Sequence, residues 1–135
     1  MKEEYVTYGQ AVKLKELGFD WVCRDFYPIT GALGIKRNCS HANFNSFEMS
    51  FDSKYGEIFS APRLNQAHAW LREIKGIDIE PRVWLVGGKR EYRPYVMPPK
   101  CKDYIACPPE KSYEKALSAG IDEALVILTN KQTDK

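Results

Sequence analysis

Cys39 and His41 stand two residues apart within KRNCSHANFNSF, Lys36 to Phe47. A cysteine nucleophile needs a base within hydrogen-bond reach and a lowered pKa. On an extended segment residues i and i+2 point the same way, so this pair could serve a Cys-dependent enzyme. The segment offers no third orienting group and no glycine-rich turn for an oxyanion hole. Zinc is a second use: Cys39, His41, Cys101 and Cys107 supply four ligands, with Cys23 or His68 as substitutes. Structural zinc sites draw their ligands as closely spaced pairs, and C-x-H with C-x5-C does not match that pattern. Asn38, Asn43 and Asn45 give the stretch the composition of a loop. The reading favoured here is therefore a polar loop over 36–46, with Cys23 and Cys107 as small buried hydrophobes, and no metal or cofactor.

A second cluster lies further on. Arg82, Lys89, Arg90, Arg93 and Lys100 accompany Trp84, Tyr92 and Tyr95. Cations interleaved with aromatic rings can grip phosphates and stack bases; charged residues on a two-sided hairpin also guard against edge-to-edge association. Trp84, Lys89, Arg90, Tyr92, Arg93 and Tyr95 are the candidate contacts for a nucleic acid or a protein partner.

Whole-chain charge gives little help to the first of these. There are 20 Lys and Arg against 18 Asp and Glu, a net charge of +2, too small to steer a partner by the field of the whole molecule. The excess is local, with eight basic and four acidic groups in 61–100. None of the phosphate-loop, dinucleotide, nucleophile-elbow or HExxH patterns occurs. The opening MKEEYVTYG has no apolar stretch of a secretory signal, and LVIL at 125–128 is too short for a membrane span. The expected setting is a reducing cytoplasm without a membrane partner.

The elements that position these residues follow from caps and periodicity. Thr7 and Gln10 have capping-box spacing, and Gly18-Phe19 closes the turn, giving a helix over about 8–17. Phe47 to Phe51 alternates as a half-buried strand, DSKYG turns, and Glu57-Ile58-Phe59 returns. Ser60 and Pro62 open a helix over about 61–75, with Leu64, Ala67, Leu71 and Ile74 on one stripe, Trp70 flanking it and Gly76 ending it. Ile77 to Val86 and Glu91 to Met97 form a hairpin about Gly87-Gly88, with Pro94 marking an edge strand. Two Pro-Pro pairs bracket an extended loop. Ser112 caps a last helix over about 112–128, whose Ala116, Gly120 and Ala124 form a ridge of small residues. The segment 129–135 is a polar tail.

TYGQAVKLKELGFD, SAPRLNQAHAWLREIKGIDIE and SYEKALSAGIDEALVIL together resemble small uncharacterised proteins of gut Bacteroidales genomes and their phages and mobile elements. Ala61, Pro62, Trp70, Leu71, Arg72 and Glu73 match that group's central A-P-T…W-L-R-E helix, with Arg63 where Thr is usual. Tyr113, Glu114, Ala116 and Leu117 match its closing Y-E-E-A-L helix. The likeness covers most of the chain outside 25–55. It implies a phage- or mobile-element-associated lineage and no activity, since the matching residues are mainly helix caps and core positions.

These readings converge on an α+β fold. One domain is expected over 1–128, with a small, mainly antiparallel sheet from 46–59 and 77–97 covered on one face by three helices. The expected role is a non-catalytic cytoplasmic module that binds another macromolecule, a protein first and a nucleic acid second. The Cys39/His41 enzyme is the further alternative.

Overall fold

The computed structural model describes residues 5–31, 34–46, 49–52, 56–100 and 103–133, and the side chains of 37–41, 52 and 131–133 lie outside the described residues. The chain divides into two compact units, Met1–Arg63 and Leu64–Lys135. Each has its own helix-covered antiparallel sheet, so the α+β class holds.

In the first unit α1 (Tyr8–Glu16) begins where the sequence places it. Thr7 Oγ1 accepts from the Gln10 N–H at 3.1 Å, and Gln10 Oε1 accepts from the Thr7 N–H at 2.8 Å. This reciprocal pair satisfies two donors that the first turn cannot bond internally. Four strands follow: β1 (Cys23–Pro28), β2 (Lys36–Ala42), β3 (Phe51–Asp52) and β4 (Gly56–Ser60), in the order β2-β1-β4-β3. The core gathers Val6, Leu14, Phe19, Phe26, Phe44 and Ile58. Lys15 lies along it, its ammonium bonded to Glu57 at 2.9 Å and 4.8 Å from the centre of the Phe59 ring.

Two expectations change here. Residues 36–42 are the edge strand β2, not a loop; polar KRNCSHA suits a position with a single neighbour, where no second ladder demands apolar side chains. The strand expected from Phe47 shrinks to Phe51–Asp52, with Met49 and Ser50 in the bend before it; Phe47, Glu48 and most of DSKYG lie outside the described residues. Its return strand is β4, with Phe51 facing Glu57.

In the second unit α2 (Leu64–Ile74) buries Leu64, Ala67, Trp70 and Leu71, while Ile74 is 57% exposed. The buried stripe is thus centred on Trp70 and Leu71. Ser60 does not cap this helix, because it is the last residue of β4 and Pro62 still precedes the first turn. β5 (Asp78–Val86) and β6 (Lys89–Met97) pair over their full length, from Asp78 opposite Met97 to Val86 opposite Lys89. Gly87 and Gly88 both have positive φ, 57° and 80°, the backbone of a tight hairpin turn. A short β7 (Ile105–Ala106) pairs with β6, giving the order β5-β6-β7.

The segments 46–59 and 77–97 therefore do not share a sheet. The reason lies in β1, which takes the side of β4 away from β3, with Phe26 opposite Ser60. Pro94 is likewise not on an edge strand. Its strand is the middle one, and its missing N–H falls on the side of β7, where its carbonyl accepts from the Cys107 N–H at 2.9 Å.

α3 (Tyr113–Thr133) runs beyond the expected end at 128. It lies on the base of the β5–β6 hairpin and against α2. Ala116, Gly120 and Ala124 are buried, as their ridge predicts.

Candidate functional site

Cross-strand pairing sorts the hairpin side chains into two faces. Arg82, Trp84 and Val86 share a face with Lys89, Glu91, Arg93 and Tyr95; Val83 and Leu85 share the other with Arg90, Tyr92 and Pro94. The six residues singled out in the sequence thus divide: Trp84, Lys89, Arg93 and Tyr95 fall on one side, Arg90 and Tyr92 on the other.

The first face is not a uniform cationic surface. Arg82 bonds Glu80 through both carboxylate oxygens, at 3.2 and 3.3 Å. Its guanidinium lies 4.3 Å from the ring centre of Tyr95 and 5.1 Å from that of Tyr104. Those rings meet edge-on at 6.2 Å. One cation is thereby taken up by a carboxylate and two rings, and Glu91 stands between Lys89 and Arg93 on the same face. A phosphate backbone would meet alternating signs, and a base would find Tyr95 and Tyr104 engaged with Arg82.

The far end of the hairpin is different. Val83, Trp84, Leu85 and Val86 are 55, 51, 75 and 54% exposed. Toward the base Ile79, Pro94 and Val96 are buried. Both faces of an ordered two-stranded ladder are thus apolar and open to solvent at 83–86. Beside it lies a groove of about 320 Å³ lined by Trp84, Leu85, Val86, Glu91, Arg93, Tyr95 and Pro109.

The second sequence candidate lies largely outside the described residues. Cys39 and His41 belong to β2 of the first unit, with side chains outside the described residues; Cys101 lies outside them altogether. Cys107 belongs to the second unit and is buried, its thiol pushed up by burial and by the carboxylate of Glu123. Cys23 is also buried, and its thiol is pushed up to about 12, chiefly by desolvation; the Ser60 hydroxyl opposes the shift and Asp25 adds to it. Both are poor nucleophiles in this state. Among the described residues no group of three or more His, Cys, Asp or Glu is placed to hold a metal ion. His68 reaches Asp78 across 3.3 Å within the second unit. No described helix is long and apolar enough to cross a membrane.

Sequence reasoning missed two features: the exposure of 83–86, and the joining of Tyr104 to Arg82 and Tyr95. An apolar run of four within a strand signals burial when no length is assigned to the covering helix. Tyr104 lies too far along the chain to be linked to Arg82 by spacing. Comparison with protein-family models, curated proteins and solved structures gave no match.

Proposed function

We propose that this chain is a non-catalytic module that binds another protein through the projecting end of the β5–β6 hairpin. The observation that carries the reading is the exposed run Val83–Val86 on an otherwise regular ladder. Contiguous apolar surface of this kind costs solubility unless a partner covers it, and it marks interaction sites on soluble domains. Trp84 supplies a large, half-exposed anchor of the type enriched where binding energy concentrates. A protein is favoured over a nucleic acid because Arg82 is already engaged by Glu80 and Glu91 interrupts the remaining cations. Raised thiol pKa values at Cys23 and Cys107 argue in the same direction against a Cys-dependent enzyme built on either residue.

A photo-crosslinking residue at Val86, compared with one at exposed Glu73 on α2, tests the reading in the cells that make the protein. Val86 should capture a defined protein that Glu73 does not, and the purified pair should lose at least about tenfold in affinity when Trp84 is changed to Ser. Equal capture from both positions, or an unchanged affinity, would discard the hairpin as the binding surface.

A further inference from the structure

The outer edge of β5 carries more information than its side chains. Tyr92 exchanges both backbone hydrogen bonds with Glu110, at 2.8 and 2.7 Å, so its N–H and C=O point away from β5. Alternation then turns Lys89, Glu91, Arg93, Tyr95 and Met97 toward β5. Their partners Val86, Trp84, Arg82, Glu80 and Asp78 bond inward, which leaves Ile79, Pro81, Val83 and Leu85 directed outward.

These outward positions are not treated alike. The Ile79 N–H is taken by the Asp78 side chain at 2.9 Å, and Pro81 has no N–H to offer. The base half of the edge is thus closed by two of the devices that keep sheets from recruiting strands. Val83 and Leu85 carry neither, and both are more than half exposed. The closed half ends where the exposed apolar run begins.

We infer that the outer edge of β5 at Val83–Leu85 accepts one added β-strand, and that the strand is a short, acidic, extended segment of a partner protein. The inference rests on the hairpin end being the contact surface. Strand addition draws affinity from main-chain hydrogen bonds and specificity from alternate side chains. Here the added strand would complete the Val83 and Leu85 donors and acceptors, and its apolar residues would cover Val83, Leu85, Trp84 and Val86. The charge preference follows from Lys89, Arg90 and Arg93, three cations at this end against two carboxylates, Glu91 and, across β6 on the side away from β5, Glu110. A second copy would bring the same cations together, which like-charge repulsion opposes. A nucleic acid would answer the cations but has no peptide ladder to complete the edge and leaves the apolar run uncovered.

The test uses the whole chain and two immobilised arrays of synthetic peptides about nine residues long, the span of a long strand. In one, apolar residues alternate with Asp or Glu; in the other, Lys replaces every acid. The acidic array should bind, and the basic array should be weaker by about tenfold or more. N-methylation of the best acidic peptide on the strand-pairing side should abolish binding, because it removes donors without altering side chains. Val83→Pro should do the same. Its outward N–H makes no ladder bond, so circular dichroism should stay unchanged, as Pro81 already shows for the neighbouring outward position. Val83→Thr should bind like the parent. If Val83→Pro fails to fold, the N-methyl comparison on the parent protein decides alone. Binding that survives N-methylation, equal binding to the basic array, displacement by oligo-dT, no binding to either array, or a concentration-dependent dimer lost in Val83→Pro would each overturn the acidic-strand inference. Where that happens while the Val86 crosslink persists, the hairpin reading stands and only strand addition falls.

Discussion

Pro81 of β5 faces Pro94 of β6 across the hairpin ladder. Both lack an N–H, yet the pair removes no bond between these two strands, because each residue directs its backbone polar groups away from the other. The absent donor of Pro81 lies on the free edge and that of Pro94 on the side of β7. Pro81 therefore acts as a stop on the edge. Replacing it by Thr should restore an outward N–H in a geometry that Thr favours. The expected result is a folded protein with an open edge two residues longer. Sedimentation velocity should show concentration-dependent self-association above about 0.5 M salt, where the cations at the hairpin end are screened, and Pro81→Thr/Val83→Pro should return it to the parent behaviour. A Pro81→Thr protein with unaltered sedimentation at all salt concentrations would remove the stop role.

The contact between α3 and the hairpin base sets a second prediction. A Cβ built on Gly120 would overlap Ile79 Cγ2 and sit 3.5 Å from Pro94 Cβ. Alanine in the middle of an exposed helix gains roughly 1 kcal/mol over glycine from propensity. Here overlap should outweigh that gain, and Gly120→Ala should cost about 1–3 kcal/mol in urea unfolding. Ile79→Leu removes the offending γ-methyl, so the double variant should recover part of the loss. Additive costs from the two changes would show that the helix seats itself on other contacts.

Cys23 gives the chain a pH dependence whose sign is fixed. Its folded thiol is raised from 9.0 to about 12, with burial as the main cause. Below pH 9 the group is neutral in folded and unfolded chains and its full contribution is present. As pH rises from 9 toward 12 the unfolded chain releases a proton that the fold retains, so stability falls by up to about 1.4 kcal/mol per pH unit. Cys107 and Tyr27 are raised as well and tilt the alkaline limb the same way. The difference in slope between the parent and Cys23→Ala, measured by urea unfolding from pH 8.5 to 10.5, isolates the Cys23 share. Parallel curves would place its ionisation outside folding.

The parts of this fold that were legible in the sequence are those governed by neighbours in the chain. Thr7 and Gln10 announce a helix start because the cap is a three-residue reciprocal bond. Gly87-Gly88 announces the hairpin because few other pairs accept two positive φ angles. The ridge Ala116-Gly120-Ala124 announces a close approach, although not that Ile79 and Pro94 make it. β1 was obscure because its buried positions include Asp25, 2% exposed beside Cys23 and Phe26, so apolar periodicity underreports its inward face. β2 was obscure because an edge strand needs no apolar pattern. Of the candidate site, the residue types were readable and their grouping was not. Arg82 belongs to the same cluster but is not among the six candidate contacts; Glu80, Tyr95 and Tyr104 hold it, and only strand register reveals that.

The capping box of α1 offers the most local test. Thr7→Ala removes the acceptor for the Gln10 N–H and should destabilise by about 1 kcal/mol, within the range of 0.5–2 for such caps. Thr7→Ser keeps the hydroxyl and should cost far less. Because the Gln10 side chain returns a bond to the Thr7 N–H, the two residues should be coupled, and Thr7→Ala should loosen that bond as well. Hydrogen exchange at the amides of Thr7 and Gln10 should quicken in Thr7→Ala and stay slow in Thr7→Ser. A Thr7→Ala protein with unchanged exchange at both amides would mean that the first turn is held by tertiary packing of Ala11 and Leu14, both fully buried, and not by its cap.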